Sequence, residues 1–202
     1  MISSYTPSIS ALVHALDSHP QFPHTPSISL IAQPAAIGQN WLPGTKKELK
    51  LIVEKARDVV PVTTFIESEA SIEKVKETSS SVHFACHGLH DAKDPTKSAL
   101  LLAGSSRLTL SEIIMMKLPP KDVAFLSACQ TARGDEKLSD EAVHLAAGML
   151  LAGYQGVIAT MWSIGDMDAP QVANDVYEVL LQEPQDAVTN AAKALHLAVQ
   201  KL

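Results

Sequence analysis

The sequence predicts an α/β fold with a mainly parallel central sheet and helices on both faces. Three observations carry that prediction. Short apolar runs of strand length alternate with stretches of helical periodicity along the 202 residues, the pattern of strand–helix–strand crossovers. The strands lack polar alternation, as expected of parallel strands covered on both faces. Two of them, Ser81–Cys86 and Val123–Ala128, run out at reactive side chains, His87 and Cys129, and open α/β sheets build their sites at the carboxyl ends of strands.

Residues 1–27 are rich in Ser, Thr, Pro and His and read as a connector, with one short helical candidate from Ser10 to Ser18. The domain proper is expected over 28–202. Ser27–Pro34 is the first strand. Pro43-Gly44-Thr45 starts a helix, with Thr45 as N-cap and Glu48 as its capping-box partner. Its apolar stripe is Leu49, Ile52, Val53, Ala56 and Val60, and Pro61 ends it. Val62–Ile66 is a strand and Ser71–Glu77 a short polar helix with Ile72 and Val75 facing inward. After the His-bearing strand come a strand at Ser98–Ala103 and a helix from Thr109 to Met116, ended by Pro119-Pro120. The Cys-bearing strand is followed by an apolar helix at Asp140–Leu151, a strand at Gly156–Trp162, and helices at Ala169–Leu181 and Gln185–Leu202.

Composition narrows the function. An apolar fraction of 46% and a charged fraction of 19% suit a globular protein with a sizeable core. The net charge of −6, with no basic run, gives no support to a nucleic-acid surface. No stretch approaches the ~20 apolar residues of a membrane span. The start, Met-Ile-Ser-Ser-Tyr-Thr, lacks the charged lead and apolar core of a secretory signal. Two cysteines are too few for a disulfide framework, so a reducing, cytoplasmic compartment is expected.

The motifs His83-Phe-Ala-Cys-His87-Gly88, Leu126-Ser-Ala-Cys129-Gln-Thr-Ala132, Asp140-Glu-Ala-Val-His-Leu-Ala-Ala-Gly148 and Val157-Ile-Ala-Thr-Met-Trp162 together resemble the CHAT family. These are caspase-like, separase-related cysteine peptidase domains often found behind tetratricopeptide repeats. The resemblance runs from about Ser27 to the end. It implies a caspase-like three-layer sandwich and a cysteine endopeptidase whose dyad falls on His87 and Cys129. Cys129 lies 42 residues after His87, near the roughly 50 of caspases. In those roles the Cys129 thiolate attacks the scissile carbonyl, and the His87 imidazole assists the thiolate and protonates the leaving amine. The backbone amides of Gly88 and Cys129 are the oxyanion-hole candidates. No metal or other cofactor is needed, the partner is a protein or peptide substrate, and a repeat region upstream is a candidate regulator.

Other residues carry competing readings. Cys86 precedes His87 and points to the opposite face of a strand, so core packing is its expected role. His83, Cys86, His87 and His90 crowd together, but on a strand His83 and His87 stand about 13 Å apart, too far for two ligands of one zinc ion. Trp162-Ser-Ile-Gly-Asp166-Met-Asp168 resembles a separase segment in which an aspartate lines the pocket before the scissile bond. That implies a preference for a basic residue, held by Asp166 or, failing it, Asp168. Asp168 also reads as a helix N-cap, ahead of Ala169-Pro170, and Trp162 as core or as a rim for substrate backbone. Asp135, Glu136, Asp140 and Glu141 read as a solvated loop and helix start rather than a calcium site. Arg133 and Lys137 offer weak support for self-cleavage there. The family's usual last strand is missing after the final helix, so a catalytically silent or partner-activated interaction domain is the alternative reading.

Overall fold

The structure is a computed structural model and describes residues 2, 4, 13, 25–77, 79–89, 91, 93–127, 139–160 and 165–202, with backbone alone for 139–144. The expected N-terminal helix at Ser10–Ser18 lies outside the described residues.

Five strands form one parallel sheet: β1 (Ile28–Ala32), β2 (Val62–Ile66), β3 (Ser81–Ala85), β7 (Lys121–Leu126) and β8 (Tyr154–Ala159), in the order β2-β1-β3-β7-β8. Both faces are covered, which is why every residue of β1 is buried and no polar alternation marks it. The pleat nevertheless divides alternate residues between two cores. On one face Leu30, Ala85, Phe125 and Ile158 pack under three helices: α1 (Gly44–Ala56), α5 (Ala169–Leu180) and α6 (Ala187–Val199). On the other, Ile31, Val82, Phe84, Cys86, Ala124 and Leu126 pack under α2 (Ile72–Lys76), α3 (Leu110–Met115) and α4 (Ser139–Ala152). The result is the three-layer mixed α/β architecture that the alternating pattern predicts. Among the described residues no helix is long and apolar enough to cross a membrane.

The strand expected at Ser98–Ala103 is shorter and belongs elsewhere. It is β5 (Ala99–Leu101), the middle of a separate antiparallel sheet between β4 (Gly88–Leu89) and β6 (Arg107–Thr109). Strands of two and three residues leave almost no periodicity to read. The next helix, α3, starts with a capping box: the Thr109 hydroxyl accepts from the Glu112 amide and the Glu112 carboxylate accepts from the Thr109 amide at 2.8 Å.

The helix expected from Thr45 differs at both ends. It begins at Gly44 with Pro43 in the N-cap position, and it ends at Ala56, four residues before Val60. Thr45 donates its hydroxyl to Leu42 O, and Glu48 turns away from the helix start into the core. The cap comes instead from 122 residues away, where Asp166 Oδ2 accepts the Gly44 amide proton at 2.8 Å. A local pair was available; a tertiary carboxylate took its place.

Candidate active site

In the order β2-β1-β3-β7-β8 the chain first winds outward from β1 and then returns past it to β3, so the topological switch lies between β1 and β3. A crevice opens outside the carboxyl ends of strands at such a point. At that point in this fold lie the segment after β1 and the residues after β3.

The segment after β1 is folded back on itself and pinned. The Gln33 amide extends the pairing by donating to Ala85 O at 3.0 Å, and the Leu42 amide donates to Pro34 O at 2.9 Å, closing the loop. The Ile37 amide donates to Ser105 Oγ at 3.1 Å, tying the loop to the small sheet. This fold presents the Asn40 carbonyl to His87, which stands two residues past the end of β3 and is fully buried. His87 Nε2 lies 2.7 Å from Asn40 O.

That contact specifies the imidazole chemically. A carbonyl oxygen can only accept, so Nε2 carries the proton and, in the neutral ring, Nδ1 carries a bare lone pair. Nδ1 is buried and no described group bonds it. The arrangement holds the imidazole by one nitrogen, with the other unbonded among the described residues.

The chain after β7 leaves the sheet beside this point, since Leu126 at the end of β7 pairs with Phe84 of β3. Cys129 follows three residues later. Cys129, Trp162 and His90 lie outside the described residues, as do Arg133, Asp135, Glu136 and Lys137. Of Asp140 and Glu141 only the backbone, at the start of α4, is described. Gly88 is described. His87 O accepts from the Leu101 amide at 2.8 Å, which makes His87 opposite Leu101 a hydrogen-bonded pair of the antiparallel ladder. Gly88 opposite Leu100 is then the non-bonded position, with its amide turned away from β5.

Cys86 is fully enclosed, in the core with Phe84, Leu100 and Leu102 on the face opposite Ala85. His83 is likewise fully buried, and its Nε2 meets Glu48 Oε1 of α1 at 3.1 Å. The His83 ring stands edge-on to Phe125 at 4.7 Å between centroids and tilted to Tyr177 at 5.6 Å. Burial, and then the Glu48 charge, push the Tyr177 phenol well above its ordinary pKa. Among the described residues, no three His, Cys, Asp or Glu side chains are placed to hold a metal ion.

Asp166, which precedes α5, caps the start of α1. The approach is close enough that a Cβ on Gly44 would overlap the Asp166 backbone oxygen and come 2.7 Å from its Oδ1. Asp168 does occupy the position before α5, but its side chain makes no capping hydrogen bond. It folds back instead, so that a Cβ on Gly165 would lie 2.8 Å from Asp168 Oδ2.

Three participants escaped sequence reasoning. Asn40 contributes a backbone oxygen, which any residue there would present, so no side-chain signal exists. Glu48 carried a signal, a carboxylate on the helix's inward stripe one residue before Leu49, which the capping-box reading absorbed. Gly44 reads as an ordinary helix start until its neighbour 122 residues away is known.

The CHAT domain family model matches residues 2–202, and the chain belongs to that caspase-like family, to which a peptidase role is ascribed. The match takes in the N-terminal stretch as well as the α/β domain. No curated protein matches the sequence.

Proposed function

We propose that this CHAT domain is a cysteine endopeptidase in which Cys129 is the nucleophile and His87 its base. The observation that carries the reading is the His87 imidazole, buried at the sheet's switch point, with Nε2–H given to Asn40 O and Nδ1 unbonded by any described group. In this mechanism Nδ1 takes the Cys129 thiol proton, and the Asn40 carbonyl stabilises the resulting imidazolium through Nε2–H. The thiolate attacks the scissile carbonyl carbon, and the oxyanion is met by the amides of Gly88 and Cys129. The imidazolium then returns its proton to the leaving amine as the C–N bond breaks. Water, deprotonated by His87, hydrolyses the thioester and restores the thiol. The chemistry needs no cofactor. The substrate is a protein or peptide with a basic residue before the cut, met by the acidic side chains of Asp166 and Asp168, with Trp162 at the rim. Asp166 has Oδ2 committed to Gly44, so its second oxygen and its charge would serve the cation.

The test is the rate of iodoacetamide modification at each cysteine against pH, with and without His87→Ala. Cys129 should react with an apparent pKa well below the ~8.5 of an ordinary thiol, rising when the imidazole is removed. Cys86 should stay inert until the protein unfolds. A Cys129 that is equally inert, or indifferent to His87, refutes the dyad and leaves a domain whose role is binding.

A further inference from the structure

The buried pair Glu48–His83 has no part in the chemistry above, and packing alone does not explain it. Enclosing a carboxylate and an imidazole strips both of water, and apolar residues of similar volume often fill such sites with equal or greater stability. What a buried polar pair adds is direction, because the bond forms at one relative position of the two elements. The elements concerned are α1, which follows the segment carrying Asn40, and β3, which leads into His87. Along one run of chain, Asn40, Gly44 and Glu48 follow at intervals of four residues; along the other, His83 and His87 are four residues apart. Two cross-links join these runs: Glu48 Oε1 to His83 Nε2 at 3.1 Å, and Asn40 O to His87 Nε2 at 2.7 Å. The first is enclosed by the rings of Phe125 from β7 and Tyr177 from α5. It therefore resists water and holds α1 one turn in from its start.

We infer that Glu48, through His83, is a positioning residue for His87. It sets where α1 begins relative to β3, so that the Asn40 carbonyl arrives on Nε2 and the imidazole is held with Nδ1 bare. A hydrogen bond weakens steeply once its donor and acceptor separate or tilt, so a slide of α1 by an ångström would release Nε2 and let the ring change tautomer. The inference deepens the dyad reading and rests on it for its catalytic meaning. The tautomer itself is measurable without Cys129.

The experiment compares wild type with Glu48→Leu/His83→Leu, which replaces the buried pair by an apolar one, and with Glu48→Gln, which keeps an acceptor in place. Nitrogen-15 NMR of the imidazoles, run also on Cys129→Ala, reads which His87 nitrogen bears the proton. Thermal unfolding shows that each variant is folded. The expected result is a double variant folded as stably as wild type whose His87 loses its single Nε2–H form, while Glu48→Gln keeps it. In the same double variant the thiolate fraction of Cys129 at pH 7 should fall toward the few per cent of an unassisted thiol, while Glu48→Gln keeps the wild-type fraction. A His87 that stays in the Nε2–H form in a folded double variant overturns the positioning role. So does equal loss in Glu48→Gln. A Cys129 indifferent to His87→Ala overturns the dyad instead, whatever the tautomer does.

Discussion

Gly44 offers the most direct check on how the start of α1 meets the segment before α5. Substituting it by alanine should, on helix propensity alone, stabilise α1 by up to about 1 kcal/mol. The tertiary structure opposes this. The new Cβ would overlap the Asp166 backbone oxygen and sit 2.7 Å from Oδ1 and 2.8 Å from Cγ of the same residue. Because the first of these is main chain, the loop itself must move. Overpacking of that kind costs about 1–3 kcal/mol, and pushing Asp166 away also removes the cap on the Gly44 amide, worth about 1 kcal/mol. The net expectation is a loss of about 1–3 kcal/mol. With a urea slope of about 2 kcal/mol/M, that lowers the midpoint by roughly 0.5–1.5 M. Asp166→Ala should cost about 1 kcal/mol alone. The double variant should lose less than the sum of the singles, because truncating the side chain removes part of the clash. A Gly44→Ala protein as stable as wild type, or more so, would show that the β8–α5 loop does not press on the start of α1, and the remote cap would fall with it.

Two further predictions follow from neighbouring features. Asp166→Asn keeps an oxygen to accept the Gly44 amide but removes the charge, so stability should change by only about 0.3–1 kcal/mol. Labelling of Cys129 by arginyl chloromethyl ketones, set against a neutral analogue, should lose its preference for arginine; a preserved preference removes Asp166 from the pocket. Thr109→Ala should cost about 1 kcal/mol at neutral pH by breaking the capping box of α3. Hydrogen bonds from the Thr109 hydroxyl and amide hold the Glu112 carboxyl below its ordinary pKa. A carboxyl lowered on folding contributes stability above its unfolded pKa and loses it as pH falls through the folded value. The gap between wild type and Thr109→Ala should therefore narrow in acid, and a gap that stays constant to pH 2 would refute the ionised box.

The sequence by itself determined the class of fold, and the reason is local. Apolar runs bounded by Pro, Gly and polar turns report burial on both faces wherever they lie, so β1, β3 and β7 were legible within a residue or two, while α1 ends four residues and α6 three residues before the pattern does. Period-two geometry likewise placed Cys86 in the core, opposite the face of Ala85. Local signals also marked His87 as the residue past the end of its strand. Tertiary structure alone decided what that imidazole touches. Its partner is a main-chain oxygen 47 residues away, invisible to any reading of side chains. Glu48 was legible as an acid one turn into a helix, yet a capping box and a buried bond to His83, 35 residues on, place the same letter in the same register. Only the packing of α1 against β3 chose between them. Asp166 and Gly44 repeat the lesson over 122 residues. Periodicity records which face of an element is dry, because burial is a property of one residue and its surroundings. A hydrogen bond is a property of two residues, and its geometry exists only once the chain has brought them together.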